Sequence, residues 1–390
     1  MTTLKANLKL TGFLATISAC VVGFMRYHGF MFRIGNKFLL KDTMKNVNRT
    51  LFATAIAIFV TACGGGGGST SGSPVATTPT TPATPTTPAV VPGQLQTSVP
   101  ALTYAAGSEE FVFVTAFNDF RQKMGLGLLA QNAALDKSAQ NHLQYVLAND
   151  VNNGGTVNMN TTDAATGLPT FHVEAAANAY FTGTVPFDRA KAVGYAATYV
   201  AEQGTFGGGK GAAVAFESLV RTVYHRAGLL FQGPTDVGIA VGKDRSQTFV
   251  IEYGNVKAQS NASDYLGAYP ADSQTGVGLF AGVENPNPFP DLSTSNADFP
   301  TKTGYPVSVV AKEFATLEVI TFTLTEASGS TPLDARLMTK DNDPNKFLGS
   351  NIAFLVAKAP LKPNTTYTVA FSGRVNNALV TKTWKFTTGN

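Results

Sequence analysis

The stretch YHRAGLLFQGPTDVGIAVGKDRSQTFVIEY, residues 224–253, decides the fold class. Its first seven residues complete a helical pattern that begins at Ala212. Asp236–Val241 and residues 248–253 then have strand character, and the polar turn at residues 243–246 separates them. The stretch therefore predicts a helix over residues 212–230 followed by an antiparallel hairpin.

Two amphipathic helices are predicted upstream of this stretch. Apolar residues recur at three- and four-residue intervals over residues 109–124 and again over residues 135–147. A further helical pattern opens at Phe187 and runs past Tyr195. His142 lies on the apolar face of the second helix, so we interpret it as a hydrogen-bonded core histidine and not as a ligand.

The order of elements predicts an α+β domain over residues 105–256. Residues 257–299 are rich in Gly, Pro, Asn, Ser and Asp, which predicts a linker or ordered coil. Residues 300–390 show period-two patterns and predict a small all-β sandwich of immunoglobulin-like type. The residues expected in its core are Tyr367, Val369, Phe371, Trp384 and Phe386.

Composition indicates a folded protein without a nucleic-acid surface. Hydrophobic residues make up 44% of the 390-residue chain and charged residues 14%, which fits two folded domains. The formal net charge is +4, but eight of the 29 Lys and Arg residues and one of the 25 acidic residues precede residue 51. The remainder is therefore slightly acidic, and we expect no nucleic-acid partner.

An export signal is predicted at residues 44–63. Basic residues precede the apolar run at residues 51–60, which is well short of the ~20 residues that a membrane-spanning helix needs. Small residues then lead to Cys63 and five glycines. The pattern resembles a bacterial lipoprotein signal, which implies lipidation of Cys63 and a membrane partner. Glycine in place of aspartate at residue 64 implies the outer membrane of a Gram-negative cell.

Two segments flank this signal. Residues 1–43 are interpreted as an overlong translation start, and the alternative is an extra membrane segment at residues 10–25. Residues 64–98 contain a glycine run and a Thr/Pro repeat, which predicts an extended, solvated stalk. The cysteines, Cys20 and Cys63, both precede the predicted folded region, so no disulfide is expected within it.

Several motifs resemble those of one protein family. NDFRQKMGL at residues 118–126, LDKSAQNH at 135–142, YHRAGLL at 224–230 and DVGIA at 236–240 occur in the order typical of the CAP superfamily. This superfamily comprises cysteine-rich secretory, antigen-five and pathogenesis-related proteins, and the resemblance implies a CAP-like α-β-α sandwich. The segments PLKPNTTYTV and WKFTTG near the end of the chain resemble bacterial immunoglobulin-like domains.

The resemblance also implies a cleft in which two histidines and two acidic residues gather. His172 and His225 match the histidine positions, and Glu202 matches the glutamate of the family's Gly-Glu-Asn motif, although Ala201 and Gln203 depart from it. The fourth position is ambiguous between Glu174 and Glu217. An extended segment would place His172 and Glu174 on one face, which favours Glu174. Glu217 could instead be a solvated helix charge. Residues that support the site by motif are Asn118, Arg121, Tyr224 and Arg226, and we expect Arg226 to anchor its helix through a carboxylate.

Three kinds of chemistry fit such a set of residues. Two imidazoles and a carboxylate suit Zn²⁺ or another divalent cation with an open coordination position. The same groups without metal could form a buried hydrogen-bond cluster. A hydrolase would need a metal-polarised water, although the chain has no His-Glu-x-x-His segment.

The sequence therefore predicts an exported CAP-domain protein that binds an envelope lipid, glycan or protein. The alternative is a metal-dependent, peptidase-like hydrolase that uses the same cleft. A third hypothesis makes the domain a structural scaffold of the envelope.

Overall fold

The computed structural model describes residues 91–390. The upstream extension at 1–43, the signal at 44–63 with its lipidation residue Cys63, and the first part of the stalk lie outside the described residues. The expectations for those segments stay predictions.

The last residues of the predicted stalk are part of the folded body. Gln94 exchanges two backbone hydrogen bonds with Ser260, of 2.7 and 3.0 Å. The side-chain amide of Gln96 donates to the carbonyl oxygens of Leu128 and Thr235 at 3.1 and 3.0 Å. Residues 94 and 96 therefore pack on the fold through backbone and side-chain hydrogen bonds, and the stalk before them stays a prediction.

Two long helices open the α+β region, as the sequence predicts. Helix α1 spans Glu109–Lys123, and the Ser108 hydroxyl accepts the Phe111 N–H at its start. Strand β1 is the short segment Ala130–Gln131, and helix α2 follows at Ala133–Asn149. The apolar faces of both helices are buried.

The third helix is shorter than predicted. Helix α3 spans Pro186–Ala192 and ends before Gly194, whose φ of +87° suits glycine. Strand β2 then spans Tyr199–Phe206, where the sequence analysis predicted no strand. Its buried residues include Glu202, Gln203 and Thr205, so no alternation of apolar and polar residues marks it.

The predicted helix at residues 212–230 is two helices. Helix α4 spans Ala212–Val220 and helix α5 spans Tyr224–Leu229. Between them the Thr222 hydroxyl donates to the Leu219 carbonyl at 2.7 Å. The Leu219 carbonyl thus accepts a side-chain hydroxyl at the break between the two helices.

The strands of this region form one sheet in the order β1-β3-β4-β2. Strand β3 spans Asp236–Val241 and β4 spans Thr248–Asn255, and they pair antiparallel, which confirms the predicted hairpin. Phe249 and Tyr253 of β4 contact aromatic rings of α1 on one face. Val250, which lies between them, packs with residues of α2 on the other. The sheet thus lies between helical layers, and the predicted α+β class is confirmed.

An all-β region follows, as predicted. Its strands are β5 Leu266–Tyr269, β6 Gln274–Val277, β7 Val307–Ala311, β8 Leu317–Glu326, β9 Ala335–Met338, β10 Ile352–Ala357, β11 Thr366–Val375 and β12 Ala378–Thr388. They form two sheets, the first in the order β5-β7-β10-β9 and the second in the order β6-β12-β11-β8. The five predicted core residues on β11 and β12 are all buried. An immunoglobulin-like topology stays a prediction.

The segment predicted as a linker, residues 257–299, differs from that expectation. It supplies β5, which pairs antiparallel with β7, and β6, which pairs parallel with β12. Each strand is four residues long and is completed by hydrogen bonds from distant strands, so its local pattern is too short to predict it. A short helix, α6, spans Phe299–Lys302 at its end.

The two regions share one hydrophobic core. The largest buried apolar cluster includes Phe113 of α1 and Trp384 of β12. Arg226, fully buried, donates to the carbonyls of Val220 and Pro306, each at 2.5 Å. It thus anchors α5 through carbonyl oxygens and not through the predicted carboxylate. Its guanidinium also lies 4.8 Å from the ring centroid of Tyr269.

Within residues 91–390, every helix falls short of the length and hydropathy that a transmembrane segment requires.

Because of this shared core, we expect the two regions to unfold together. Fluorescence of Trp384, the chain's one tryptophan, reports on the β region, whereas helical circular dichroism reports on the α+β region. Arg226→Met should lower the free energy of unfolding by about 3 kcal/mol, because buried carbonyls lose a charged donor. Both signals should shift together in urea. Arg374→Met, at a half-exposed ion pair, is the control. Two separate transitions would contradict a shared core.

Candidate functional site

A buried arginine organises the polar centre of the α+β region. Arg189 of α3 is fully buried, and one terminal nitrogen donates to Glu202 Oε2 at 2.6 Å. Its other terminal nitrogen donates to the His172 carbonyl at 3.2 Å. Its Nε lies 3.7 Å from a carboxylate oxygen of Glu174 and 3.7 Å from one of Glu252. A single guanidinium thus serves three buried carboxyl groups.

Two of these carboxyl groups belong to paired residues on neighbouring strands. Glu202 on β2 and Glu252 on β4 are directly paired residues of the antiparallel ladder. Burial opposes ionisation of Glu202, but the charges of Arg189 and His142 and the hydrogen bond from His172 outweigh it and lower its pKa. Burial, and then the charge of Glu202, raise the pKa of Glu252 well above its ordinary value. The pair therefore favours one ionised and one protonated carboxyl group.

His142 joins the cluster from α2. Its Nε2 lies 2.7 Å from the Phe171 carbonyl and its Nδ1 lies 2.9 Å from Glu174 Oε1. A carbonyl only accepts, so Nε2 carries a proton, and one further proton must lie between Nδ1 and the carboxyl group. Glu174 also accepts the backbone N–H of Thr182 at 2.5 Å. His142 is thus buried and hydrogen-bonded, as predicted, but its partners belong to the site.

His172 is the member of the cluster that reaches the surface. Its Nδ1 lies 2.9 Å from Glu202 Oε1, and 21% of its side chain is exposed. Burial is the main cause of a lowered His172 pKa, although Glu202 opposes it. The charges of His142 and His225 add to the lowering. The lowered pKa favours a neutral His172 imidazole, and His225 contributes to this lowering.

His225 stands at the start of α5 with a different carboxylate. Its Nδ1 lies 2.6 Å from Glu284 Oε1, and 24% of its side chain is exposed. Glu284 Oε2 accepts the backbone N–H groups of Val223 and Tyr224, both at 3.0 Å. Each of the two partly exposed histidines, His172 and His225, therefore turns Nδ1 toward a carboxylate.

The structure does not bring the predicted ligand residues together at one point. His172 and Glu174 do not share a face as expected, because residues 170–172 form a 3₁₀ turn and Glu174 points to His142 and Thr182. Glu217 accepts the Tyr305 hydroxyl at 3.0 Å. No group of three or more His, Cys, Asp or Glu side chains within residues 91–390 is arranged to hold a metal ion.

The predicted supporting residues hold the fold together. Asn118 bonds both the N–H and the carbonyl of Leu129, which fixes α1 to the start of β1. Arg121 is buried and donates to the carbonyls of Gly127 and Phe231 at 2.6 and 2.8 Å. The Tyr224 hydroxyl donates to Asp343 at 2.5 Å.

Three residues of the site were missed by the sequence analysis. Glu252 is the single charge within the apolar run of β4, which was a usable signal. Arg189 lies in a helix of ordinary polar pattern, and Glu284 lies in a segment without strand or helix. The sequence around these two residues therefore gives no signal that they belong to the site.

This part of the chain is an α+β sandwich with a buried polar cluster that includes His172, whereas His225 lies on α5 and pairs with Glu284. Residues 114–254 match the sequence model of the CAP family, described as the cysteine-rich secretory protein family. These residues form a CAP domain, as the motif resemblance predicted.

Solved structures with some likeness were also found. One is an extracellular protein containing an SCP domain from Bacillus anthracis str. Ames, at 14% identity and a TM-score of 0.29, covering 38% of this chain and 40% of that one. Another is an outer surface protein from Borrelia burgdorferi, at 14% identity and a TM-score of 0.29, covering 39% of this chain and 96% of that one. The chain thus spans less than half of the Bacillus protein. No curated protein matches the chain.

Arg189→Met should destabilise the protein strongly, because it leaves buried carboxylates without their cation. We expect a loss of about 3–5 kcal/mol in the free energy of unfolding. Arg374→Met removes the half-exposed pair with Glu318 and should cost less than about 1 kcal/mol. Urea unfolding at neutral pH measures both. Equal losses in the two variants would show that the buried cluster does not depend on Arg189.

Glu252→Gln should change how stability depends on pH. The raised pKa of Glu252 means that the folded protein retains a proton which the unfolded chain releases above about pH 4.3. Stability from this group is therefore present at low pH and is lost as pH rises through the folded pKa. As the pH rises, the free energy of unfolding of Glu252→Gln should increase relative to that of the native protein, by at most about 1.4 kcal/mol per pH unit. Urea unfolding from acid to neutral pH tests this, with the exposed Glu318→Gln expected to give a flat difference.

Proposed function

We propose that the protein is an exported, envelope-associated binding module whose CAP domain recognises its ligand through His172 and His225. Export rests on the signal-like segment that ends at Cys63. Lipidation of Cys63 would anchor the chain in a membrane, and the glycine at residue 64 favours the outer membrane. The ligand would be a lipid, glycan or protein of the envelope.

The observation that carries this proposal is the pairing of each partly exposed histidine with a buried carboxylate. In both rings Nδ1 faces the carboxylate, at 2.9 Å in His172 and 2.6 Å in His225. The carboxylate orients the ring and leaves Nε2 as its interacting atom. Two oriented, partly exposed imidazoles are a polar recognition element on a rigid scaffold.

In this proposal a divalent cation such as Zn²⁺ would be held by the two histidine rings and not by the carboxylates of the cluster. The lowered pKa of His172 favours the neutral imidazole that metal binding requires. Glu174 and Glu202 do not fit as ligands, because each is bonded to a histidine and lies beside Arg189. His172 and His225 would therefore hold the ion. A bound cation would supply positive charge for an anionic group of the ligand.

Binding is favoured over hydrolysis by the state of the nearby carboxyl groups. A general base must reach a water or substrate in the cleft. The side chains of Glu174, Glu202, Glu252 and Glu284 are all buried, with at most 1% exposure. Glu202 and Glu284 are also occupied by His172 and His225. The cluster therefore supports a fixed binding surface better than it supports proton transfer to a bound water.

The first test is Zn²⁺ binding by isothermal titration calorimetry with the purified protein. We expect one ion per chain in the native protein and an affinity loss of about tenfold or more in His172→Ala and His225→Ala. Glu217→Gln should bind within about twofold of native, because Glu217 bonds Tyr305 instead. No binding in the native protein would remove the metal from the proposal, and loss of binding in Glu217→Gln would restore Glu217 as a ligand.

A second assay separates binding from hydrolysis. The native protein and His225→Ala are mixed with lipid vesicles, purified cell-wall glycan and a peptide library. Saturable binding that His225→Ala weakens, without cleavage of any component, supports the proposal. Cleavage that survives purification and disappears in His225→Ala would favour the peptidase-like alternative.

A further inference from the structure

Glu284 reaches the CAP site from outside the CAP domain. The family match ends at residue 254, whereas Glu284 lies thirty residues later in the segment between β6 and β7. Its side chain is fully buried. One carboxylate oxygen lies 2.6 Å from His225 Nδ1 and also accepts the His225 backbone N–H. A residue of the β region therefore completes the surroundings of a CAP-domain histidine.

Hydrogen bonds on both sides of Glu284 fix its position. The Gly282 N–H donates to the Arg221 carbonyl at 2.9 Å. A Cβ at residue 282 would lie 2.8 Å from side-chain carbons of Arg221 and Thr222, so only glycine allows this approach. The Asn285 amide donates to the Asn160 carbonyl at 2.8 Å. The segment is therefore tied both to the α4–α5 break and to the loop that precedes the His172 turn.

We propose that Glu284 is the positioning residue that sets the tautomer of His225. A carboxylate accepts but does not donate, so the proton of the neutral ring is held on Nδ1 and the lone pair on Nε2. Nε2 is then the ring atom with a lone pair for a cation or a ligand proton. This inference rests on the proposed function, in which His225 Nε2 makes the contact.

The tautomer role differs from the capping role of the same carboxylate. Glu284 also accepts three backbone N–H groups at the start of α5, so loss of the whole side chain would alter the backbone as well. Glu284→Gln separates the two roles. Its amide oxygen, in the place of Oε2, can still accept the N–H groups of Val223 and Tyr224. Its NH₂ group, in the place of Oε1, would donate to Nδ1 and drive the ring proton to Nε2, and the His225 backbone N–H would lose this acceptor.

The experiment is nitrogen NMR of the histidine rings in the metal-free, full chain, recorded over a pH series so that the neutral form of the ring is observed directly. We expect the Nδ1–H tautomer of His225 in the native protein and the Nε2–H tautomer in Glu284→Gln. Zn²⁺ affinity should fall by about 10–100-fold in the variant. Glu313→Gln is the matched control, because Glu313 is another carboxylate of the β region that accepts a backbone N–H of the CAP side, from Gly233. It should leave both readouts unchanged.

The outcomes distinguish this inference from the proposed function. A native spectrum with the proton on Nε2 overturns the role of Glu284 even if the variant fails to fold. An inverted tautomer with unchanged Zn²⁺ affinity overturns it as a positioning residue for binding. An inverted tautomer in a protein that never binds Zn²⁺ supports Glu284 as the residue that sets the ring proton, and it refutes the metal part of the proposed function.

Discussion

The fold around the site depends on the placement of one guanidinium among three buried carboxyl groups. Burial alone would lower the pKa of Arg189, but the charges of Glu202, Glu252 and Glu174 more than compensate and raise it. Arg189 therefore remains a cation in the interior. The cluster joins elements that are distant in sequence, with members on α2, the segment before α3, α3 itself, β2 and β4. Few other arrangements of these elements would satisfy all of the buried charges.

The architecture was largely predictable from the sequence because its long elements carry clear periodicity. Helices α1 and α2, the β3–β4 hairpin and the inward residues of β11 and β12 all follow from apolar spacing. Strand β2 could not be predicted from apolar spacing, because its buried positions include Glu202, Gln203 and Thr205. Those polar residues can be buried because Arg189, Tyr253 and Ser218 form hydrogen bonds with them. The buried polar residues of the candidate site thus remove the apolar alternation by which strand β2 would have been predicted.

The candidate residues were predictable as a set, whereas their pairings were not. His172, Glu202 and His225 were identified from motifs, and the structure brings each into a carboxylate–histidine contact. Their partners lie far along the chain, however. Glu284 is 59 residues from His225, in a segment whose Gly and Pro content indicates only coil. Such long-range contacts are decided by how the α+β and β regions pack, and no local pattern records them.

The N-terminal segment of the folded body has a mechanical consequence. Gln94 and Gln96 are bonded at Ser260, Gln259 and Leu128, next to the junction between the CAP domain and the β region. If the chain is tethered through Cys63, tension on that tether would load the hydrogen bonds between Val91 and Ser263 first and these bonds next. Each contributes only about 1 kcal/mol, so they would yield before the buried ion cluster is strained. The attachment would therefore release a few residues of extra reach under load while the candidate site keeps its shape.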